Sequence, residues 1–253
     1  MISKSDYENI KTVFKREFFA YFNSPVAYVI VVIFLLATMS FAFFFGGFLR
    51  TNNASLTQPF FFWHPWIYVV LAPAVGMRLW SEEQRLGTLE LLLTMPISPW
   101  HAIVGKYFAA ALVWAIALFL TCPIVFTVFY LGNPDSGPII SGYLASYLYA
   151  IAALAVTSAV SAFTRSQVVC FIVSVAVCLM MTLIGFPPVI EAILKSLPSG
   201  MDFVVKGVAY TSFMDHFYEM TKGVIYPRDV IYFLSVVAVS LLITNEAIRA
   251  KRA

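Results

Sequence analysis

Charged residues are scarce in this chain of 253 residues, because Asp, Glu, Lys and Arg together make up only 11% of it. A soluble globular domain averages about 25% charged and about 45–50% apolar residues, whereas 61% of these residues are apolar. A membrane-spanning helix takes about 20 residues, so six of them use roughly half of the chain and leave no room for a separate soluble catalytic domain. We therefore expect an all-α, polytopic membrane protein.

The sequence motifs of common catalytic sites are also lacking. The three histidines lie far apart, in neither an HExxH nor a CxxC context; they are His64, His101 and His216. There is no GxSxG nucleophile elbow, and Gly105-Lys106 is followed by Tyr107 and lacks the upstream glycine of a Walker A loop. The sequence therefore predicts a chain that is not an enzyme and that binds no metal, cofactor or ATP of its own.

Cysteine is rare, and the net charge is only +3. Cys122, Cys170 and Cys178 all lie within apolar runs, whereas a disulfide framework needs cysteines in exposed loops of an oxidising compartment. We interpret them as reduced packing residues. The small net charge gives no indication of nucleic-acid binding. The first apolar run is too long for the core of a cleavable signal peptide.

Six apolar segments predict transmembrane helices, over residues 25–48, 60–80, 102–131, 140–163, 168–186 and 230–248. Residues 1–24 predict an amphipathic interfacial helix, because aromatic and aliphatic residues recur there every three or four positions between basic ones. Pro65 and Pro73 favour kinks in the second span. A row of alanines in the fourth span indicates close helix packing, namely Ala145, Ala152, Ala155, Ala159 and Ala162.

The apolar runs within residues 187–228 are too short to cross a bilayer, so this stretch is predicted to form interfacial or re-entrant helices. One of these helices begins with Ser212 as N-cap and ends at Gly223 as C-cap. His216, beside Asp215 and near Glu219, is compatible with a metal or acid–base site, but a polar helix face at the outer surface is the favoured interpretation.

The distribution of Lys and Arg orients the six spans. With both termini inside, the inner segments hold 11 of these residues and the outer segments hold 5. The excess of positive charge faces the cytoplasm, so residues 81–99 are expected inside and residues 187–228 outside. The span interiors carry essentially no ionisable groups, which argues against a proton-coupled transporter and leaves the energy source outside this polypeptide.

Residues 81–99 form a charged, helical interruption between the second and third spans. Ser81 and Gln84 fit a capping box, and Glu82 and Glu83 fall in the first turn, where the helix dipole favours acids. A leucine stripe follows, Gly87 offers a bend, and prolines end the helix; the stripe is Leu86, Leu89, Leu92 and Leu93, and the prolines are Pro96 and Pro99. From periodicity alone, this helix either docks into a partner protein or lies on the membrane surface.

The segment from Glu82 to Ser98, followed by Gly105-Lys106, resembles the type 2 ABC exporter permeases. That family pattern combines an acidic start, Gly-Thr-Leu-Glu, a leucine run, Pro-x-Ser and Gly-Lys at the start of the third span. Residues 212–233 are similar to the branch found in gliding motility and in nitrous-oxide-reductase maturation. The resemblance implies that residues 1–24 are a connecting helix and residues 81–99 a coupling region seated in an ATPase subunit.

The resemblance further implies a bacterial inner-membrane exporter subunit whose partners are an ABC ATPase, a second permease copy or paralogue, the lipid bilayer and an extracytoplasmic accessory subunit. ATP and Mg would be bound by the ATPase, and no nucleic acid is expected. The residues expected to couple to the ATPase are Glu82, Glu83, Arg85, Gly87, Thr88, Leu89, Glu90, Leu92, Leu93 and Pro96.

Two other functions stay open at this point. In the first, the ATPase cycle drives an extracytoplasmic partner docked on residues 187–228, and no substrate crosses the membrane. In the second, the chain is an autonomous secondary transporter or membrane enzyme, which gradient-driven transport without any ATPase would establish.

Overall fold

The computed structural model describes residues 4–48, 55–94, 98–196, 207 and 210–251. All regular elements in these ranges are helical, as the composition predicts. The α-helices are α1 (Lys4–Asn23), α2 (Pro25–Ser40), α3 (His64–Gly76), α4 (Arg78–Leu86), α5 (Thr88–Thr94), α6 (Pro99–Phe119), α7 (Pro123–Leu131), α8 (Ser136–Phe163), α9 (Gln167–Leu183), α10 (Pro187–Ser196), α11 (Phe213–Met220) and α12 (Pro227–Arg249). A π-helical segment, Phe41–Phe45, extends α2, and a 3-10 turn, Phe61–Trp63, precedes α3.

Four of the six predicted spans are long and apolar enough to cross a bilayer within the described residues. They are Pro25–Phe45, Pro99–Leu131, Ser136–Phe163 and Pro227–Arg249. Helix α9 is an apolar helix of 17 residues, and α3 has 13 residues. At 1.5 Å per residue these helices are about 26 and about 20 Å long, shorter than a hydrocarbon core of about 30 Å.

Helix α8 lies at the centre of the molecule, packed against α3, α6, α9 and α12. Asp135 caps its start by accepting a hydrogen bond from the Gly137 amide at 2.9 Å. The predicted alanine row of this helix is confirmed as a packing surface, because all five alanines are buried. Small residues allow neighbouring helix backbones to approach closely, and this explains why one helix can be surrounded by so many others.

Helices α3 and α4 run beside α8 in the same direction. The two residues of each contacting pair are separated by nearly the same number of positions in the sequence, as expected for parallel helices. The pairs are Phe61 with Tyr143, His64 with Ser146, Tyr68 with Tyr149, and Trp80 with Ser158. From 61 to 80 a helical path covers about 28 Å. Only Met77, itself in a helical conformation, separates α3 from α4.

Aromatic rings fill the space between the helices. Tyr68 of α3 stacks on Phe34 of α2 at 5.4 Å and meets Trp114 of α6 edge-on at 5.1 Å. Tyr149 of α8 hydrogen-bonds Thr182 of α9 at 2.6 Å. Aromatic pairs add about 0.5–1.5 kcal/mol each beyond the area that they bury, so this cluster ties the central helices together.

The structure corrects three local predictions. Pro65 lies in the first turn of α3, where its missing N–H breaks no helical bond, so only Pro73 sits in the helix interior. The third predicted span is divided into α6 and α7 by a turn at residues 120–122. Ser212 is the predicted N-cap of α11, accepting from the Met214 amide, but that helix ends at Met220, before Gly223.

His216 is buried, so the predicted polar helix face at this residue is wrong. Its Nδ1 lies 2.7 Å from Asp229 Oδ1 on α12, and its Nε2 lies 2.9 Å from the carbonyl oxygen of Tyr210. The ring also stacks on Tyr232 at 3.9 Å. His216 thereby ties α11 to the start of α12, and the described residues contain no group of three or more side chains suited to a metal ion.

Candidate functional site

Helices α4 and α5 form a bent segment, residues 78–94, that contains most of the predicted coupling region. Gly87 ends α4 in the left-handed conformation, with φ at 72°, and its amide donates to the Glu83 carbonyl. A glycine reaches this conformation without the penalty that a Cβ atom imposes. The predicted bend at Gly87 is therefore confirmed, and it divides the region into two helices.

The start of α4 is capped by a distant residue. Ser81 lies inside α4, where its hydroxyl donates to the Met77 carbonyl, so the predicted capping box is wrong. Instead, Ser161 Oγ on α8 accepts hydrogen bonds from the amides of Trp80 and Ser81 at 3.1 and 3.0 Å. The first amides of a helix lack partners within the helix, and Ser161 supplies one from a neighbouring helix.

The end of α8 is bound in return by side chains from α4 and the C-terminal region. Gln84 Nε2 donates to the carbonyls of Ser161 and Ala162 at 3.1 and 3.0 Å. Lys251 donates to the Ala162 carbonyl at 2.7 Å and to Gln84 Oε1. A cation at a helix C-terminus is favourable, while burial and the nearby charge of Arg165 lower the pKa of Lys251. Helices α4, α8 and α12 therefore meet at one point.

A buried lysine joins α4 to α1 and α6. Lys106 is only 3% exposed, and its Nζ lies 2.8 Å from Glu83 Oε1, 3.4 Å from Glu17 Oε1 and 3.2 Å from the Leu79 carbonyl oxygen. The ammonium also lies 5.2 Å from the centre of the Trp80 ring. A buried charge needs such partners to offset its lost hydration. We call Lys106, Glu83 and Glu17 the lysine junction.

The predicted coupling residues divide into an exposed and an inward-facing set. Arg85, Gly87, Thr88 and Glu90 are exposed, as is Leu86 between them. Glu83 is held in the lysine junction, Leu89 is 5% exposed and packs in the core, and Glu82 is half-buried. Leu92 and Leu93 belong to α5. Pro96 lies outside the described residues. We call the residues from Arg85 to Glu90 the exposed turn.

Sequence reasoning missed the residues that hold this segment in place, namely Glu17, Ser161 and Lys251. Ser161 and Lys251 lie 77 or more positions from their partners, and no local pattern marks such pairs. Lys106 did leave a signal, because an ionisable residue within a predicted span is costly unless it is paired. Its presence in residues 102–131 could have indicated a buried ion pair.

Comparison with known proteins gives one family. Residues 64–243 match the sequence model described as ABC-2 family transporter protein. The match begins at the first residue of α3, includes all of α4 and α5, and ends within α12. No curated protein matches the chain.

Proposed function

Because the chain belongs to the ABC-2 family of transporter proteins, a family of membrane permease subunits of ABC transporters, we propose that it is the subunit through which a separate ATPase drives export. The α4–α5 segment is the element that receives the motion of the ATPase. The similarity of residues 212–233 to the gliding-motility and nitrous-oxide-reductase branch stays a prediction.

The observation that carries this proposal is the contrast between the two sides of the α4–α5 segment. Its exposed turn presents both charges and an apolar side chain, Leu86, which is 63% exposed. Its base is fixed by Ser161, Gln84 and the lysine junction. A rigidly based segment with an accessible end is suited to transmit displacement, because packed elements move as units rather than deform continuously.

The fixed base determines where that displacement goes. Helix α4 continues from α3, contacts α8 through Ser161 and contacts α6 through Lys106. A pull on the exposed turn therefore tilts three predicted spans together. The ATPase would change the membrane domain by stabilising one of its two arrangements more than the other, which is the requirement for any such coupling.

Contacts between helix ends support six membrane passes with both termini on one side. The end of α1, the start of α6, the end of α8 and the end of α12 all meet around α4. Helix α9 leaves this end, because it follows α8 after a three-residue link, and its last turn meets Ser212 beside α11. The shorter α3 and α9 thus complete six passes between two opposite poles, with residues 81–99 in the cytoplasm of a bacterial cell.

The test is charge reversal on the exposed turn. We expect Arg85→Glu with Glu90→Arg to lower the amount of ATPase that co-purifies with the chain, and the stimulated ATPase rate, by about tenfold or more, since lost charged contacts at an interface cost about 2–5 kcal/mol. The matched control is Glu219→Arg, at the opposite pole, which should change neither. If the double variant Arg85→Glu with Glu90→Arg retains full assembly and stimulated hydrolysis, as the control does, the exposed turn does not bind the ATPase.

A further inference from the structure

A cleft of about 290 Å³ lies between the end of α1, the start of α2, the end of α3 and the start of α4. None of its lining residues belongs to the exposed turn. Its lining residues are Glu17, Ala20, Tyr21, Ser24, Val26, Ile30, Ala74, Val75, Arg78, Leu79 and Glu82.

Two opposite charges line this cleft without neutralising each other. Arg78 and Glu82 are one helical turn apart on α4, yet neither forms an ion pair or hydrogen bond in the part of the chain that the structure describes. The Nε atom of Arg78 is buried and has no hydrogen-bond partner. A buried donor left without a partner costs about 1–3 kcal/mol, so the arrangement favours a ligand that offers an acceptor there.

Tyr21 adds a hydroxyl to the same wall. Burial and, to a lesser extent, the nearby Glu17 carboxylate raise the pKa of Tyr21; Arg78 lowers it by less, and Glu82 raises it by less still. The phenol therefore stays protonated at physiological pH and remains available as a donor. Glu17, the second carboxylate of the cleft, is already paired, because its Oε1 lies 2.6 Å from an Arg16 guanidinium nitrogen and 3.4 Å from Lys106 Nζ.

The opposite wall is apolar and belongs to predicted spans. Val26 and Ile30 come from the first turns of α2, and Ala74 and Val75 from the last turn of α3. Neighbouring side chains of α2 are large, apolar and exposed, including Tyr28, Val29 and Val32. The cleft thus combines a charged rim with an apolar wall at the level where a span meets the membrane surface.

We propose that this cleft binds the headgroup of a zwitterionic, amine-bearing phospholipid, with its phosphate on Arg78 and its ammonium group on Glu82. A guanidinium and a phosphate form the bidentate pair that arginine geometry favours. A two-carbon linker between phosphate and amine suits two side chains one turn apart, where Cβ atoms are about 5–6 Å apart. A purely anionic headgroup is disfavoured, because it would leave the Glu82 carboxylate without a cation.

The proposal is tested on the purified chain alone in detergent, with native mass spectrometry after addition of phosphatidylethanolamine or phosphatidylglycerol. We expect phosphatidylethanolamine to be retained, and Arg78→Gln or Glu82→Gln to reduce its retention by about tenfold, as the loss of one charged hydrogen bond implies. The matched controls are Arg249→Gln and Glu246→Gln, which remove an exposed pair at the end of α12 and should retain the lipid as the wild type does.

A loss of lipid binding could also result from misfolding of a variant, so a variant with a new lipid preference is tested as well. Glu82→Lys makes the rim cationic, so it should shift the preference from phosphatidylethanolamine to phosphatidylglycerol. The proposal is overturned if the wild type retains both lipids equally, if Arg78→Gln retains phosphatidylethanolamine fully, or if soluble phosphoethanolamine displaces the lipid at equal concentration. No ATPase is present, so failure of the coupling proposal leaves this result unaffected.

Discussion

Lys106 shows how a single charge can organise three helices. Its ammonium binds carboxylates of α1 and α4 while its own backbone belongs to α6. Glu83 therefore faces inward, although its position in the acidic start of the coupling region suggested contact with a partner. Reversing the charge of Glu83 would test the internal ion pair rather than the ATPase interface.

We predict that Lys106→Met lowers the free energy of unfolding by about 3–5 kcal/mol, because the largely buried Glu83 carboxylate loses its cation, whereas Glu17 keeps Arg16 at 2.6 Å. Thermal unfolding in detergent measures the change. Adding Glu83→Gln to Lys106→Met should recover part of the loss, since one uncompensated charge is then removed. Lys222→Met, which breaks an exposed pair with Glu219, should cost about 0–1 kcal/mol. Equal losses for Lys106→Met and Lys222→Met would contradict the assignment.

At the scale of single elements, the exposed turn depends on the conformation of Gly87. A Cβ atom at this position would meet no other atom within 4 Å, so the only obstacle to a substitution is the positive φ. A substitution at Gly87 therefore tests backbone strain without a change in packing. At a buried glycine such as Gly142 the two effects are mixed, because a Cβ there would lie 2.5 Å from the Phe61 ring.

We predict that Gly87→Ala reduces ATPase stimulation while costing only about 1–2 kcal/mol in stability, the penalty for a Cβ in the left-handed region. Gly87→Asn is the matched control, because asparagine tolerates this conformation, and it should retain most of the stimulation. ATPase assays of the reconstituted complex, together with unfolding in detergent, separate the two effects. If alanine and asparagine behave alike, the bend is not required.

The sequence predicted most helix boundaries to within a few residues, because prolines, capping residues and polar turns mark them locally. Helix α8 ends at Phe163 as expected, and α2 begins at Pro25. The capping of α4 by Ser161 could not be predicted, since helix periodicity carries no information about which helices become neighbours. For the same reason, the pattern of residues 81–99 predicted a charged helix but not which of its charges stay exposed.

At the scale of the whole molecule, the proposed orientation predicts which end of the helical bundle a reagent outside the cell can reach. We expect Glu219→Cys to react with a membrane-impermeant maleimide in intact spheroplasts, because the proposed orientation puts α11 at the outer pole. Glu90→Cys should react only after the membrane is permeabilised. The native Cys170 and Cys178 are buried and should contribute little background. Labelling of Glu90→Cys from outside would invert the proposed orientation.

The central position of α8 also has a consequence for how the chain is made. This helix carries five buried serine and threonine side chains, namely Ser141, Ser146, Thr157, Ser158 and Ser161, whose hydroxyls lipid cannot hydrogen-bond. Ser146, Ser158 and Ser161 bond residues of α3 and α4, which precede α8 in the chain, and Thr157 donates to the Ala153 carbonyl of α8 itself. A nascent chain halted before α12 has therefore already paired these hydroxyls, and what it still lacks is the packing of α12, the most extensive neighbour of α8.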